Sequence, residues 1–221
     1  MSSVDTQLHA VLLRAITGVK YDVLRTRASE LSARYRQAGI TDTLPALRDE
    51  LDCLAYAVVR MPATYRAIQA ALRAADLHVG AATTHLDLGG GTGAAAWAAA
   101  SIWPGVQTQI VERQAAAVAL GRRLSTWSPT PVWSTADLRD WQPSASVDLV
   151  TVAYVLNELT AETRQSVLSA AAASTGTIVL VEPGTPPWIS AHRRGPRPAD
   201  WSRVHDRCAL PASAPVSARR S

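Results

Sequence analysis

The residues His85-Leu86-Asp87-Leu88-Gly89-Gly90-Gly91-Thr92-Gly93 pass from a strand-like alternation into a run of glycines. We read Thr84–Leu88 as a short strand, the glycines as its exit loop, and Ala94–Ser101 as an Ala-rich helix. Glycine turns the backbone sharply and lets a ligand approach where a Cβ would stand in the way. The following helix N-terminus offers free N–H groups. Asp87 stands two residues before Gly89, and glycines follow at alternate positions 89, 91 and 93.

The same texture continues downstream. Gln107–Val111 reads as a second strand and Gln114–Ser125 as a second helix. Val132-Trp133 marks a third strand, and Val147–Val152, with apolar residues for both faces, a fourth. Glu162–Ala173 is helical, and Thr177–Val181 is a fifth strand stopped by Pro183-Gly184. Strands alternating with helices predict an α/β fold with a parallel, doubly wound, Rossmann-like sheet.

Upstream, Leu8, Val11, Leu12, Ile16 and Val19 recur at helical steps, and Leu24, Ala28, Leu31 and Tyr35 continue the period. Gly39 breaks it; Leu47, Leu51, Leu54 and Val58 form another stripe. Pro62 suits the first turn of a further helix that buries Ile68, Leu72 and Ala75. The expected division is a helical N-terminal region at 1–78, a Rossmann-like domain at 79–186 and an irregular basic tail at 187–221.

Composition limits the function. The chain has 221 residues, is 48% hydrophobic and has a net charge of +4. Residues 188–221 hold seven Arg against Asp200 and Asp206, so the basicity lies in the tail and the rest is slightly acidic. A basic nucleic-acid-binding body does not follow from that distribution. No apolar run is long enough to span a membrane, and the N-terminus lacks the pattern of a secretory signal. Two cysteines, Cys53 and Cys208, make neither a disulfide framework nor, alone, a zinc site. A cytoplasmic protein with no membrane or DNA partner is expected.

Three carboxylates are candidate ligand groups. Asp87 precedes the glycines. Glu112 ends the second strand, where a carboxylate accepts ribose hydroxyls and repels a 2′-phosphate. Asp137 follows the third strand, where an Asp suits a helix N-cap. Tyr154, Asn157 and Glu158 fall at the exit of the fourth strand, the carboxyl edge where doubly wound sheets bind ligands. None of them fits a known catalytic motif, so no catalytic residue is assigned. His78, His85 and His192 lack metal-ligand spacing, and the scattered tryptophans suit packing better than base stacking.

The Asp-x-Gly-x-Gly-x-Gly order over Asp87, Gly89, Gly91 and Gly93 resembles motif I of class I S-adenosylmethionine (SAM) methyltransferases. That resemblance implies for Asp137 an alternative to the cap, an acceptor for an adenine amino group. A dinucleotide fingerprint places its third glycine three residues after the second. Here that position is Ala94, which some dinucleotide folds accept. An NAD-binding oxidoreductase therefore stays as an alternative.

Further segments carry a narrower resemblance: Leu31-Ser-Ala-Arg-Tyr-Arg36, Ala55-Tyr-Ala57, Arg60-Met-Pro-Ala-Thr-Tyr65, Tyr154-Val-Leu-Asn-Glu-Leu159 and Val179-Leu-Val-Glu-Pro-Gly-Thr-Pro186. From about residue 8 to residue 186 the chain resembles the mitochondrial small-ribosomal-subunit protein 22 family, also called methyltransferase-like protein 17, and its bacterial relatives. The resemblance implies a SAM-binding domain behind a helical region, with Asp87, Gly89, Gly91, Gly93 and Glu112 holding SAM. It implies methylation of small-subunit rRNA, or non-catalytic support of subunit assembly. The family's cysteine cluster beyond the Glu-Pro-Gly-Thr-Pro segment is missing here. Together with the loss of family texture after Pro186, this reads as a truncated or frame-shifted C-terminus. Back-translating residues 207–213 with freely chosen codons gives, one base on, Val-Ala-Pro-Cys-Pro-His, a cysteine-bearing segment like the family's. On that expectation the sheet lacks its last strands, and no metal site is assigned.

Overall fold

The computed structural model describes residues 3–37 and 47–182. The expectations for Gly39, His192, Cys208 and the tail at 187–221, including its frame-shifted origin, lie outside the described residues.

Four helices come first: α1 (Ser3–Ala15), α2 (Tyr21–Gln37), α3 (Glu50–Val59) and α4 (Met61–Val79). The stripe of Leu8, Val11 and Leu12 is buried, as read. Ile16 and Val19 fall beyond the end of α1, where Gly18 turns at φ +84°. Asp49 caps α3 by accepting from the Asp52 N–H at 2.7 Å. Pro62 sits in the first turn of α4, where its missing N–H removes no helical bond. Met61, Tyr65, Ile68 and Leu72 give α4 a fully buried face. Burying a side chain of that size contributes about 1.5–3 kcal/mol.

Buried ionic groups tie these helices together. Asp52 is wholly buried and accepts from Arg34 at 2.5 Å and Arg27 at 3.4 Å, joining α2 to α3. Asp5 of α1 accepts from the Tyr65 hydroxyl at 2.6 Å. Gln69 donates to Tyr65 and to Ser101, both at 2.8 Å. Removing one partner would strand a buried polar group, which costs more than the bond itself is worth.

The α/β part follows as β1 (Thr84–Leu88), α5 (Ala94–Ile102), β2 (Gln107–Glu112), α6 (Ala115–Leu124), β3 (Val132–Thr135), β4 (Leu149–Ala153), a 3₁₀ turn at Leu156–Glu158, α7 (Ala161–Ser174) and β5 (Ile178–Val181). Each strand read from the sequence is present, with ends displaced by two residues at most. The sheet is parallel throughout, in the order β3-β2-β1-β4-β5. The chain moves outward from β1 through β2 to β3, then returns to β4 beside β1. The direction of winding therefore reverses between β1 and β4, and their carboxyl ends flank the crevice in which such sheets bind ligands.

The two faces of the sheet are packed differently. Leu86, Leu88, Val111, Val150 and Val152 meet Val167 and Ala171 of α7 in one apolar cluster. The opposite face packs under α4, α5 and α6, in a cluster that runs from Leu8 to Val179 and contains the fully buried Trp97. One core thus serves both the N-terminal helices and the sheet. Alanines along α5 let it lie close against α4. Trp97, Trp103 and Trp133 are buried, in keeping with packing roles.

Candidate functional site

A cavity opens at the carboxyl ends of β1, β2, β3 and β4. Asp87, Gly89, Gly91, Glu112 and Asp137 all line it. Gly93 does not. It caps α5 at φ +92°, with the Trp133 ring 3.2 Å from where its Cβ would stand. Its need for glycine is one of conformation and packing.

Gly91 is different. Its φ is +56°, and open space surrounds the position of a Cβ. The N–H of Gly91 donates to Oε2 of Glu112 at 2.9 Å, and the N–H of Gln114 donates to Oε1 at 2.8 Å. The β2 carboxylate thereby fixes the glycine loop. Each of its oxygens has a second lone pair for a ligand. Burial raises its pKa, opposed by these backbone bonds.

Asp87 is wholly buried. Oδ1 accepts from the Thr151 hydroxyl at 2.7 Å, and Oδ2 has no hydrogen-bond partner. Burial drives its pKa up to about 7, against the Thr151 bond and with help from nearby Glu112. A buried carboxylate oxygen without a donor is costly unless a ligand supplies one.

Asp137 lies in a turn, not at a helix start. Arg139 donates to it from the main chain at 2.9 Å and from its guanidinium at 2.8 Å and 3.1 Å, which lowers its pKa. The helix-cap alternative thus gives way to a local Asp-Arg turn, and Asp137 lines the cavity.

The fourth-strand exit supplies groups that spacing alone did not assign. Tyr154 has φ +59°, a left-handed conformation rare outside glycine, and lines the cavity. Such strain collects at functional sites. Glu182, just after β5, holds this exit: it accepts from the N–H groups of Val155 (3.1 Å) and Leu156 (2.8 Å) and from Asn157 Nδ2 (2.7 Å). Asn157 is therefore a brace for the loop. Glu158 lines the cavity 3.9 Å from Arg113, and burial lifts its pKa to about 7. The N-terminal helices close the other wall with Tyr56, Thr64 and Ile68. Ile68 reads from core-like periodicity, and Tyr56 and Thr64 fall only within segments of family resemblance; neither signal marks a cavity wall.

His85 is buried between Thr108 and Thr151. Cys53 is buried too, and desolvation pushes its thiol up to about 12, so it is not a thiolate at neutral pH. Among the described residues no group of three or more His, Cys, Asp or Glu is arranged to hold a metal ion. No described helix is long and apolar enough to cross a membrane.

Comparison with solved structures places this geometry. The chain is similar to human N-acetylserotonin methyltransferase in complex with SAM, at 20% identity over 84% of this chain and 55% of that one, with a TM-score of 0.52. It is also similar to SAM-bound CalS10, an amino pentose methyltransferase from Micromonospora echinaspora, at 22% identity over 72% of this chain and 57% of that one, with a TM-score of 0.43. The chain spans about half the length of the solved methyltransferases it matches. The fold is that of the class I methyltransferases, with five parallel strands behind a helical region. No curated protein matches. The model of the family described as Mitochondrial small ribosomal subunit Rsm22 matches residues 50–192, which take in all of the described sheet and the two helices before it. The chain belongs to that family.

Proposed function

We propose that the cavity binds SAM and that the protein methylates, or supports assembly of, the small ribosomal subunit, with its rRNA as the partner. The observation that carries the cofactor reading is the unpartnered Oδ2 of Asp87 in the same cavity as Glu112 and the open left-handed Gly91. These residues suit a ligand with an ammonium group at one end and vicinal hydroxyls farther on. On this reading Asp87 takes the amine, Glu112 the ribose hydroxyls and Asp137 the adenine edge. Gly91 lets the backbone come close, Gly89 lines the cavity and packs its loop against Val155, and Gly93 starts α5. The bound cofactor supplies an electrophilic methyl on a sulfonium.

The chain's own part is then to hold, orient and exclude water. Tyr56, Thr64 and Ile68 screen the cavity from one side, and the strained Tyr154 turn and Glu158 border it from the other. Positioning of an acceptor against a bound donor accelerates transfer without a dedicated base. The family's link to the small subunit supports the ribosomal partner.

Equilibrium binding of SAM, S-adenosylhomocysteine and NAD to the full chain tests the cofactor. SAM or S-adenosylhomocysteine should bind and NAD should not; NAD binding alone would return the oxidoreductase alternative. Methyl incorporation into small subunits from labelled SAM then separates catalysis from a non-catalytic assembly role. Binding without incorporation assigns the latter.

A further inference from the structure

Beneath Asp87 a row of polar side chains crosses the buried sheet. His85 and Asp87 lie two residues apart on β1 and so share a face. Thr108 on β2 is in register with His85, and Thr151 on β4 is in register with Asp87. His85 Nδ1 is 3.2 Å from the Thr108 hydroxyl, Nε2 is 2.9 Å from the Thr151 hydroxyl, and that hydroxyl reaches Asp87 Oδ1. All four residues are buried.

Counting protons orients the row. Thr151 has one hydroxyl proton and gives it to Asp87, so toward His85 it can only accept. Nε2 must then carry the imidazole hydrogen. Burial drives the His85 pKa down to about 3, so the ring is neutral and Nδ1 is an acceptor. It receives the Thr108 proton. Every donor in the row thus points toward Asp87, and bonds aligned in this way polarise one another.

We propose that the Thr108–His85–Thr151 row is a positioning relay: it occupies Oδ1 of Asp87 and leaves Oδ2 as the acceptor for a ligand's ammonium group. His85 and Thr151 act through Asp87 and touch no ligand. The inference rests on the cofactor reading above for the identity of the ligand, but not for the existence or direction of the row.

Two probes test it. S-adenosylhomocysteine carries the amine; 5′-methylthioadenosine keeps the adenosine and sulfur and lacks it. Thr151→Val, nearly isosteric and suited to a strand, removes the donor to Asp87. It should weaken S-adenosylhomocysteine about tenfold, the loss of roughly one charge-assisted bond, and leave 5′-methylthioadenosine unchanged. Thr151→Ser should restore binding. Equal weakening of both probes, or wild-type affinity for S-adenosylhomocysteine in the folded Val variant, overturns the relay. If the wild-type chain binds neither probe, the cofactor reading fails. The relay is then judged by the ¹⁵N imidazole signals of wild-type His85, which also serve if the Val variant does not fold. A neutral Nε2–H ring at pH 8, where Asp87 is ionised, upholds the row, and an Nδ1–H ring or an imidazolium overturns it.

Discussion

Asp148 and Asp87 stand at opposite ends of the β1–β4 strand pair, and their surroundings differ in every respect. Asp148 precedes β4 at the amino end and is exposed. Its Oδ2 accepts from the Thr83 N–H and hydroxyl, both at 2.8 Å, and from the Thr84 N–H at 2.9 Å. Those donors hold its pKa down to about 2. Asp87, at the carboxyl end, is buried with one donor and a bare oxygen, and its pKa rises to about 7. One carboxylate is finished by the fold. The other is left incomplete where the winding of the sheet reverses. A structural acid and a ligand-binding acid are thus told apart by how many donors the protein itself supplies.

Asp87→Asn should break the contrast most severely, with opposite effects on two observables. Binding of S-adenosylhomocysteine should fall by about 1.5–3 kcal/mol, the worth of a charged hydrogen bond. The midpoint of thermal unfolding at pH 8 should rise by roughly 2–6 °C, since a buried, under-bonded charge is gone. A raised folded-state pKa in an acid means that stability falls as pH rises from its ordinary value to about 7. The variant's advantage should therefore shrink as pH falls below 7 and vanish below about 4. Calorimetry at several pH values reads it; an unchanged midpoint at pH 8 would falsify the account of Asp87 as a strained charge.

Glu112→Ala extends the comparison to a carboxylate that is buried but well supplied with donors. It should cost up to about 3 kcal/mol of cofactor binding, through lost hydroxyl acceptors and a glycine loop freed at Gly91. Unchanged affinity in the folded variant removes Glu112 from the site.

The pH dependence of binding is the next smaller effect. If only ionised Asp87 accepts the amine, apparent affinity scales with the ionised fraction. With a pKa about 7, affinity for S-adenosylhomocysteine should drop about tenfold between pH 8 and pH 6. Glu112 and Glu158 face the same cavity with raised pKa values and push in the same direction, while Arg113 opposes them. A flat profile in isothermal titration across that range contradicts the proposed role of Asp87.

Much of this was legible in the sequence because it depends on local pattern. The alternation of strand and helix gave all five strands, and Asp87, Gly89, Gly91, Glu112 and Asp137 do converge on one cavity. What escaped depends on register. Thr151 and Thr108 look like ordinary strand residues until parallel pairing sets them beside Asp87 and His85. Glu182 looked like the end of a strand, yet it holds the β4 exit from 26 residues away. Ile68 read as core because helical periodicity does not distinguish a core neighbour from a cavity wall, and Tyr56 entered only through the family resemblance. Gly93 read as part of a ligand loop, though its neighbour is Trp133.

Asp148→Asn should have the smallest effect and marks the other end of the contrast. Asparagine keeps one carbonyl oxygen for the Thr83 and Thr84 donors, so the geometry at the start of β1 can survive while the charge is lost. Because the site is exposed, solvent screens most of what the low pKa implies. The unfolding midpoint at pH 7 should fall by no more than about 3 °C, and cofactor affinity should not change. The sign of the pH dependence is the reverse of that for Asp87. A depressed folded-state pKa contributes stability that is present above the ordinary aspartate value and lost as pH falls toward about 2. The gap between wild type and variant should close as pH falls from about 4 toward 2, with wild type the more stable, whereas in Asp87→Asn the variant is the more stable and its advantage closes between pH 7 and about 4. Melting curves of both variants between pH 2 and pH 8 place the two effects side by side. If the Asp148 variant instead loses cofactor affinity, the amino end of the strand pair is coupled to the cavity, and the division between a finished and an unfinished carboxylate does not hold.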